Sequence, residues 1–519
     1  MNKKKILWAD DEIDLLKPYV IFLEEKGYEV VTTSNGQDAI DILQKDYFDI
    51  VFLDEHMPGL NGLETLLKIR EINHDIPVIM ITKNEEENLM EAAIGSKITD
   101  YLIKPVKPNQ ILLTLKKYLE HKQIIEKEFL NIYQSEFSKI SFLINNAYTF
   151  NDWVEVYKKL VNIELDLEKI NDKKLNEILL FQKQEANREF VKYIKNNYVK
   201  WFNPNCSDKP VLSPVIFKEK LFPLLDEGNK VILIIIDNLR YDQWKAISSI
   251  ITDYYLIKEE FFYSSILPTA TQYARNSMFA GLMPKEIQHL YPNLWLNDDE
   301  EGAKNLKEDE LFTLQLNRYG KKYKWHYEKI LNVKYGKKLS DQFIMLNDYD
   351  LSILVYNFID ILSHANTEIE VIRELADNDY AYRSIIVSWF KHSYLYDLIK
   401  NLSNQKFILA LTTDHGSIRV NNPLKVIGDR KTSVNLRYKT GKNLQYNQRE
   451  VFEITDPHSI HLPKSNVSSK YIFACANDFF AYPNNYNYYA SYYKNTYQHG
   501  GISMEEMIIP FITLIPKNK

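Results

Sequence analysis

The sequence predicts an α/β chain in three parts: an N-terminal doubly wound domain over residues 1–120, a helical bundle or linker over 121–205, and a C-terminal α/β domain over 206–519. Three observations carry this reading. From residue 4 to 120 short apolar runs alternate with amphipathic segments, the pattern of buried parallel strands separated by helices. From 121 to 205 glycine is absent and Pro204 is the only proline, while apolar residues recur at three-and-four spacing. Beyond 230, apolar runs that end in acids return, as in "KVILIIIDN" and "FILALTTDHG".

The bulk properties set limits. A chain of 519 residues exceeds one ordinary core, and 45% hydrophobic content supports compact folding, so a wholly disordered chain is excluded. A formal net charge of −6 gives no overall basic footprint, which argues against a protein that coats nucleic acid. Cys206 and Cys475 are the only cysteines, so neither a disulfide framework nor a thiolate zinc site is indicated. Acids interrupt the opening "MNKKKILWADDE" too early for a signal peptide, and no apolar stretch approaches the roughly 18 residues of a spanning helix. A cytoplasmic protein without membrane insertion is expected.

In the first part, "KILWADD", "YEVVTTSN", "FDIVFLDEHMPG", "IPVIMITKN" and "DYLIKPV" read as five strands. A doubly wound sheet presents its site at the carboxyl ends of its strands, where Asp10, Asp11 and Asp54 fall. Three carboxylates together would repel unless a hard cation such as Mg²⁺ joined them, and a magnesium-bound carboxylate is a competent phosphoryl acceptor. Thr82 and Lys104 close two further strands within reach of a transferred phosphoryl group. The motifs "ADDE", "LDEHMPGLNG", "MIT" and "YLIKP" resemble the response-regulator receiver family, whose domain is flavodoxin-like, over residues 4 to about 120. The resemblance implies that Asp54 accepts phosphate from a sensor histidine kinase, that Asp10 and Asp11 help hold Mg²⁺, and that Thr82 with Tyr101 transmits the change. It also implies a cis bond before Pro105 and a homodimer on phosphorylation.

In the second part, "FNDWVEVYKKLVNIELDL" and "KLNEILLFQKQEANREFVKYIKNNYVKWF" read as amphipathic helices whose aromatic residues pack a core. No helix carries a basic recognition face, so sequence-specific duplex DNA binding is not expected. "WFNPNCSDKPVLSP" then breaks the helical pattern.

In the third part, the apolar run before Asp237 reads as a central strand, and "LSILVYNFIDILSHANT" repeats the pattern with Asp360 and His364. "LALTTDHGS" supplies Asp414 and His415, and "YQHGG" supplies His499. In "ILPTATQYARNSMFAGLMP", Thr271 opens a predicted helix whose N-terminus suits an oxyanion beside a nucleophilic hydroxyl, and Arg275 lies one turn on, where a phosphate contact is expected. Carboxylates and imidazoles with no thiolate suit zinc and also admit manganese, and the set is large enough for two metals. A basic loop bearing Arg430, Lys431, Arg437 and Lys439 and the tyrosine-rich "YPNNYNYYASYYKNTYQH" are candidate contacts to a nucleotide, with a solvated loop and ordinary packing as the alternatives.

This constellation resembles the alkaline phosphatase superfamily over roughly residues 210 to 519, and "IIDNLRYDQW" with "DRKTSVNLRYKTG" resembles the PglZ domain within it. The resemblance implies two zinc ions, one held by Asp237, Asp414, His415 and the Thr271 oxygen, the other by Asp360, His364 and His499, with Thr271 as nucleophile. Thr at this position separates the chain from the sulfatase branch, which needs a modifiable Cys or Ser there. A receiver, a helical middle and a PglZ domain in this order resemble the PorX-like response regulators of type IX secretion. That resemblance implies a sigma factor and secretion-machine components as partners. The expected function is a response regulator controlling a metal-dependent phosphodiesterase of nucleotide or oligonucleotide substrates; the alternative is a metal-bound signalling module without turnover.

Overall fold

The computed structural model describes residues 3–83, 98–120, 135–169, 172–428, 432–464, 466 and 468–517. It divides into two compact units, Met1–Ser135 and Glu136–Lys519. Among the described residues no helix is long and apolar enough to cross a membrane.

In the first unit, strands β1 (Lys5–Ala9), β2 (Glu29–Thr33), β3 (Ile50–Asp54), β4 (Val78–Thr82) and β5 (Asp100–Ile103) form one sheet in the order β2-β1-β3-β4-β5. Every pair in it is parallel. The pleat sends Leu7, Ala9, Val51, Leu53, Val78 and Met80 into one core layer and Ile6, Trp8, Ile50, Phe52, Ile79 and Ile81 into another. Both faces are therefore buried, which is why these strands are continuous apolar runs rather than alternating ones. The helix Gly62–Ile72 starts at Asn61, whose side chain accepts from the Glu64 N–H at 2.8 Å while Glu64 accepts from the Asn61 N–H at 3.0 Å.

In the second unit, β6 (Lys230–Ile236), β7 (Tyr255–Ser264), β8 (Trp325–Ile330), β9 (Leu351–Tyr356), β10 (Phe407–Thr412) and the C-terminal strand Ile508–Pro516 make a six-stranded sheet. Its order is β7, C-terminal strand, β10, β6, β9, β8. The four strands β10, β6, β9 and β8 are mutually parallel, and the C-terminal strand runs antiparallel to both β10 and β7. The isoleucine-rich β6 lies between β10 and β9, and its residues Val231 through Ile236 are fully buried.

The middle helices belong to this unit. Phe150–Glu168 is capped by Thr149 and buries Trp153, Val156, Tyr157 and Leu160 at helical spacing. Trp153 meets Phe190 of the helix Lys173–Asn197 edge-on at 5.5 Å, and Tyr157 meets Tyr241 at 5.8 Å. Each such burial contributes roughly 1.5–3 kcal/mol. A buried ion network adds specificity. Arg383 pairs with Glu168, Asp242 and Glu164, the last at 3.2 Å. Arg240 pairs with Asp242 at 2.7 Å and Asp379 at 2.9 Å, and Lys183 pairs with Glu164 at 2.8 Å. Residues 121–134, the start of the region expected to be helical, lie outside the described residues, as do Arg430 and Lys431.

Candidate metal centre

The acids and imidazoles singled out by sequence gather at the carboxyl edge of the second sheet. Asp237 follows β6, Asp360 and His364 lie one turn apart on the helix Phe358–Glu368 that follows β9, and Asp414 with His415 follow β10. Thr271 is the first residue of the helix Thr271–Ala280, reached from β7 through a loop with a cis Leu267–Pro268 bond. Within this edge two groups have ligand atoms all within 4.8 Å of one another: Asp237, Asp414 and His415, and Asp360, His364 and His499.

The two groups differ in environment. Asp237, Asp414 and His415 are at most 1% exposed, whereas the His364 side chain is 63% exposed. Rings His415 and His499 stack at 4.2 Å, so the groups share a wall. His499 Nδ1 lies 3.1 Å from the Thr269 carbonyl oxygen and His415 Nδ1 lies 3.1 Å from the Gly416 carbonyl oxygen. Each carbonyl accepts from Nδ1–H, which leaves the Nε2 lone pair for a ligand role. His499 Nε2 then faces Asp360 Oδ1 at 3.7 Å, and His415 Nε2 faces Asp414 Oδ2 at 3.7 Å, Asp237 Oδ1 at 3.9 Å and the Thr271 hydroxyl at 3.1 Å.

Electrostatics fit a cation. Burial, then the neighbouring His499, pushes the His415 imidazole down to about 3, so it is neutral at ordinary pH. Burial raises the Asp237 carboxyl, and Asp237 Oδ1 has no hydrogen-bond partner among the described residues although it is shut from water. A divalent ion would satisfy that oxygen, and the nitrogen and oxygen donors suit zinc or manganese.

Sequence reasoning missed several supporting groups. Asn238 takes a left-handed φ of 65° and donates to Ser363 Oγ at 3.2 Å and Asp360 Oδ1 at 3.5 Å, tying the two ligand-bearing segments. An Asn directly after a strand-end acid was the available signal, since Asn tolerates this φ. A Cβ at Gly416 would lie 2.1 Å from the Glu505 carbonyl oxygen, so the glycine of "TDHG" is required by close approach. Glu308 gave no signal, yet it lies 1% exposed beside Arg275.

Arg275, the expected phosphate contact, and Arg437 and Lys439, candidate nucleotide contacts or solvated loop residues by sequence, are all found buried. Arg275 is completely buried against Asp237, Asp414 and Glu308, and its guanidinium faces carboxylates rather than open space. Arg437 pairs with Glu506 Oε2 at 2.6 Å, both fully buried. Lys439 is 1% exposed, and burial pushes its ammonium down to about 7 while it donates to the Ser433 carbonyl oxygen at 2.8 Å. The sequence could not reveal that this loop folds inward. The tyrosine-rich stretch forms the helix Tyr486–Tyr493, with Tyr486 and Tyr493 packed on Ile418, Val420, Phe479 and Ala481 and with Tyr488 exposed.

The first unit carries its own cluster: Asp10, Asp11 and Asp54 also have ligand atoms within 4.8 Å. Lys104 Nζ lies 2.8 Å from Asp54 Oδ1 and 3.0 Å from Asp10 Oδ2. Burial raises the Asp54 carboxyl against the opposing pull of Lys104. The Thr82 hydroxyl donates to Glu55, Tyr101 is 39% exposed, and Lys104–Pro105 is cis.

Comparison with known proteins follows the same division. The model of the response regulator receiver domain matches residues 6–116, that of the PorX response regulator linker domain matches 123–202, and that of the BREX system PglZ alkaline phosphatase-like domain matches 216–514. The chain belongs to the PglZ alkaline phosphatase-like family. Its architecture, a receiver, this linker and a PglZ domain, is that of a PorX-like response regulator. Among curated proteins it is similar to the alginate biosynthesis transcriptional regulatory protein AlgB of Pseudomonas putida, 34% identical over 24% of this chain and 28% of that protein. It is also similar to the transcriptional regulatory protein SrrA of Staphylococcus aureus, 32% identical over 23% of this chain and 49% of that protein. The chain thus spans between about a quarter and a half of these relatives' length. Among solved structures it is similar to chemotaxis response regulator CheY4 of Vibrio cholerae, 29% identical over 23% of this chain and all of that one, with a TM-score of 0.22. A receiver domain typically binds Mg²⁺ at its phosphorylation site and is partnered with a sensor histidine kinase. The PglZ domain has the fold and a buried candidate metal site consistent with a regulated metal-dependent enzyme.

Proposed function

We propose that this PorX-like chain is a response regulator, phosphorylated on Asp54 by a sensor histidine kinase, that controls a zinc-dependent phosphodiesterase. Its functional segments are 1–120, 121–205 and 206–519. One observation carries the reading: the Thr271 hydroxyl lies 3.1 Å from His415 Nε2, at the wall shared by two groups of metal-competent ligands. Asp237, Asp414, His415 and Thr271 would hold one zinc, and Asp360, His364 and His499 the other. Bound there, zinc supplies a lowered hydroxyl pKa and neutralises charge on phosphoryl oxygens.

The chain's own groups do the rest. Thr271, at a helix N-terminus, points its oxygen where free N–H groups favour a phosphate anion. Its Oγ forms the bond to phosphorus as one ester P–O bond breaks and the leaving alcohol takes the hydroxyl proton; the threonine phosphodiester so formed keeps the other alcohol, and water then cleaves its bond to Thr271 and releases the monoester. The exposed His364 side chain brings the Asp360, His364 and His499 group to the surface, where a substrate can reach it. Thr rather than Cys or Ser favours phosphate over sulfate esters. Asp10, Asp11 and Asp54 would hold Mg²⁺ in the receiver, with Thr82, Tyr101 and Lys104 reporting phosphorylation, and phosphorylation would favour a homodimer. The same proposal, supported by the architecture, includes a cytoplasmic site of action and a sigma factor and type IX secretion components as partners.

The test is a hydrolysis screen of chromogenic, linear and cyclic oligonucleotide diesters with zinc-loaded protein, with and without an acyl-phosphate donor. Near two zinc ions per chain and loss of turnover in a folded Thr271→Val variant are expected. Equal inertness of wild type and variant across the screen would leave a metal-bound signalling module instead.

A further inference from the structure

The two ligand groups are not balanced alike. The open one has a single carboxylate, Asp360, and the buried one has two, Asp237 and Asp414, sealed from water. Arg275 sits between those two. It lies four residues after Thr271, one helical turn on, which brings its guanidinium beneath the nucleophile. Nη2 contacts Asp237 Oδ2 and lies 3.1 Å from Asp414 Oδ2, and Nε donates to Asp414 Oδ2 at 3.1 Å. Asp414 Oδ2 is also the oxygen 3.7 Å from His415 Nε2, so guanidinium and metal would draw on the same atom, while Asp237 Oδ1 is left over for the metal. Behind Arg275, Nη1 lies 3.4 Å from Glu308, which is itself answered by Lys329 at 3.2 Å and the Tyr327 hydroxyl at 2.5 Å. Glu308 and Lys329 offset one another, which leaves one cation against two buried carboxylates. With Arg275 included, each ligand group carries one net negative charge.

We propose that Arg275 is a built-in counter-ion of the buried group: it holds Asp237 and Asp414 together without metal, and with metal it cancels one ligand charge and so limits how tightly the ion is kept. This rests on the two-metal reading above. An unpaired buried carboxylate pair would open or take up protons, whereas this arrangement is formed before any ion arrives. Arg275 is a positioning residue, acting on the metal through its ligands and not on substrate. A unit charge held against two carboxylates that would ligate a buried ion changes its affinity by at least tenfold.

The experiment uses the full chain with the open group silenced by His364→Ala, stripped of zinc and titrated against a chromogenic zinc chelator, with thermal unfolding followed with and without zinc. Arg275→Met is expected to bind zinc at least tenfold more tightly, to melt lower when zinc-free and to gain more from zinc than the parent. Arg275→Lys keeps the charge and stays within about threefold of the parent, and the double variant Glu308→Gln, Lys329→Met, which removes the offset pair without changing net charge and frees Arg275 to act wholly on Asp237 and Asp414, binds several-fold more weakly. Equal or weaker zinc binding by Arg275→Met overturns the proposal. Where Arg275→Met does not fold without zinc, the double variant decides: weaker binding supports the counter-ion and unchanged binding overturns it. Failure of the parent to bind zinc removes the two-metal reading and this inference together, whereas zinc binding insensitive to these substitutions removes only the counter-ion.

Discussion

Replacing Arg383 by Met tests whether the middle helices are anchored to the rest of the second unit by charge. Arg383 is 2% exposed and meets Glu168, Asp242 and Glu164. Removing one partner of a buried ion pair costs about 3–5 kcal/mol. Two features reduce this, because Asp242 keeps Arg240 at 2.7 Å and Glu164 keeps Lys183 at 2.8 Å. Glu168 loses more, since Arg383 is its salt-bridge partner, and its side chain is 20% exposed and so partly screened. A loss of roughly 3 kcal/mol follows, which at about 2 °C per kcal/mol for a unit of this size lowers the melting temperature by about 6 °C. Calorimetry of the full chain should show that fall in the transition of the larger unit. Hydrogen exchange should quicken first in Phe150–Glu168, and a double cycle with Glu168→Gln should return a coupling of about 1 kcal/mol or more. A shift below 1 °C, or full additivity, would refute the anchoring role.

Four further outcomes are expected. Asp54→Ala should abolish labelling by a small phosphodonor, with undiminished labelling moving the phosphorylation site elsewhere. Asn238→Ala should weaken metal at the Asp360 group by about tenfold while leaving the Asp237 group unchanged, read by chelator competition. In the zinc-free protein, His415 is neutral when folded down to about 3 but takes a proton near 6.5 when unfolded. The unfolded state therefore binds more protons between these values, and stability should fall as pH drops through that window by up to about 1.4 kcal/mol per pH unit. Asp237, raised by burial, works in the opposite sense, so denaturant melts of wild type and His415→Asn are compared, and equal pH slopes would sink the assignment. Tyr488→Ala, on an exposed ring outside the packed face of its helix, should alter stability by less than about 0.5 kcal/mol.

Much of the fold was legible because burial on both faces of a parallel sheet writes itself as an unbroken apolar run. "IVFLD" and "VILIIID" are both such runs with an acid at the end, and both proved to be strands that deliver that acid to a sheet edge. The ligand residue types were legible for the same reason: strand ends are where a polar side chain can leave the core and still be held. The chain pattern also showed the middle as helical, since apolar residues in Phe150–Glu168 repeat at the helical period.

Charge was misread wherever folding reversed its surroundings. Arg275, Arg437 and Lys439 look like surface cations in sequence, yet each is enclosed by partners brought from distant segments, Glu308 and Asp414 for the first and Glu506 for the second. Periodicity reports which face of an element is apolar, but not which remote carboxylate arrives opposite a cation. The sequence by itself determined the strands, the helices and the acids and imidazoles at their tips, because those depend on local spacing and on burial of whole elements. Only the tertiary structure decided the stacking of His415 on His499, the hydroxyl of Thr271 beside them and the guanidinium held between two carboxylates, because each depends on side chains meeting across tens to more than a hundred residues of chain.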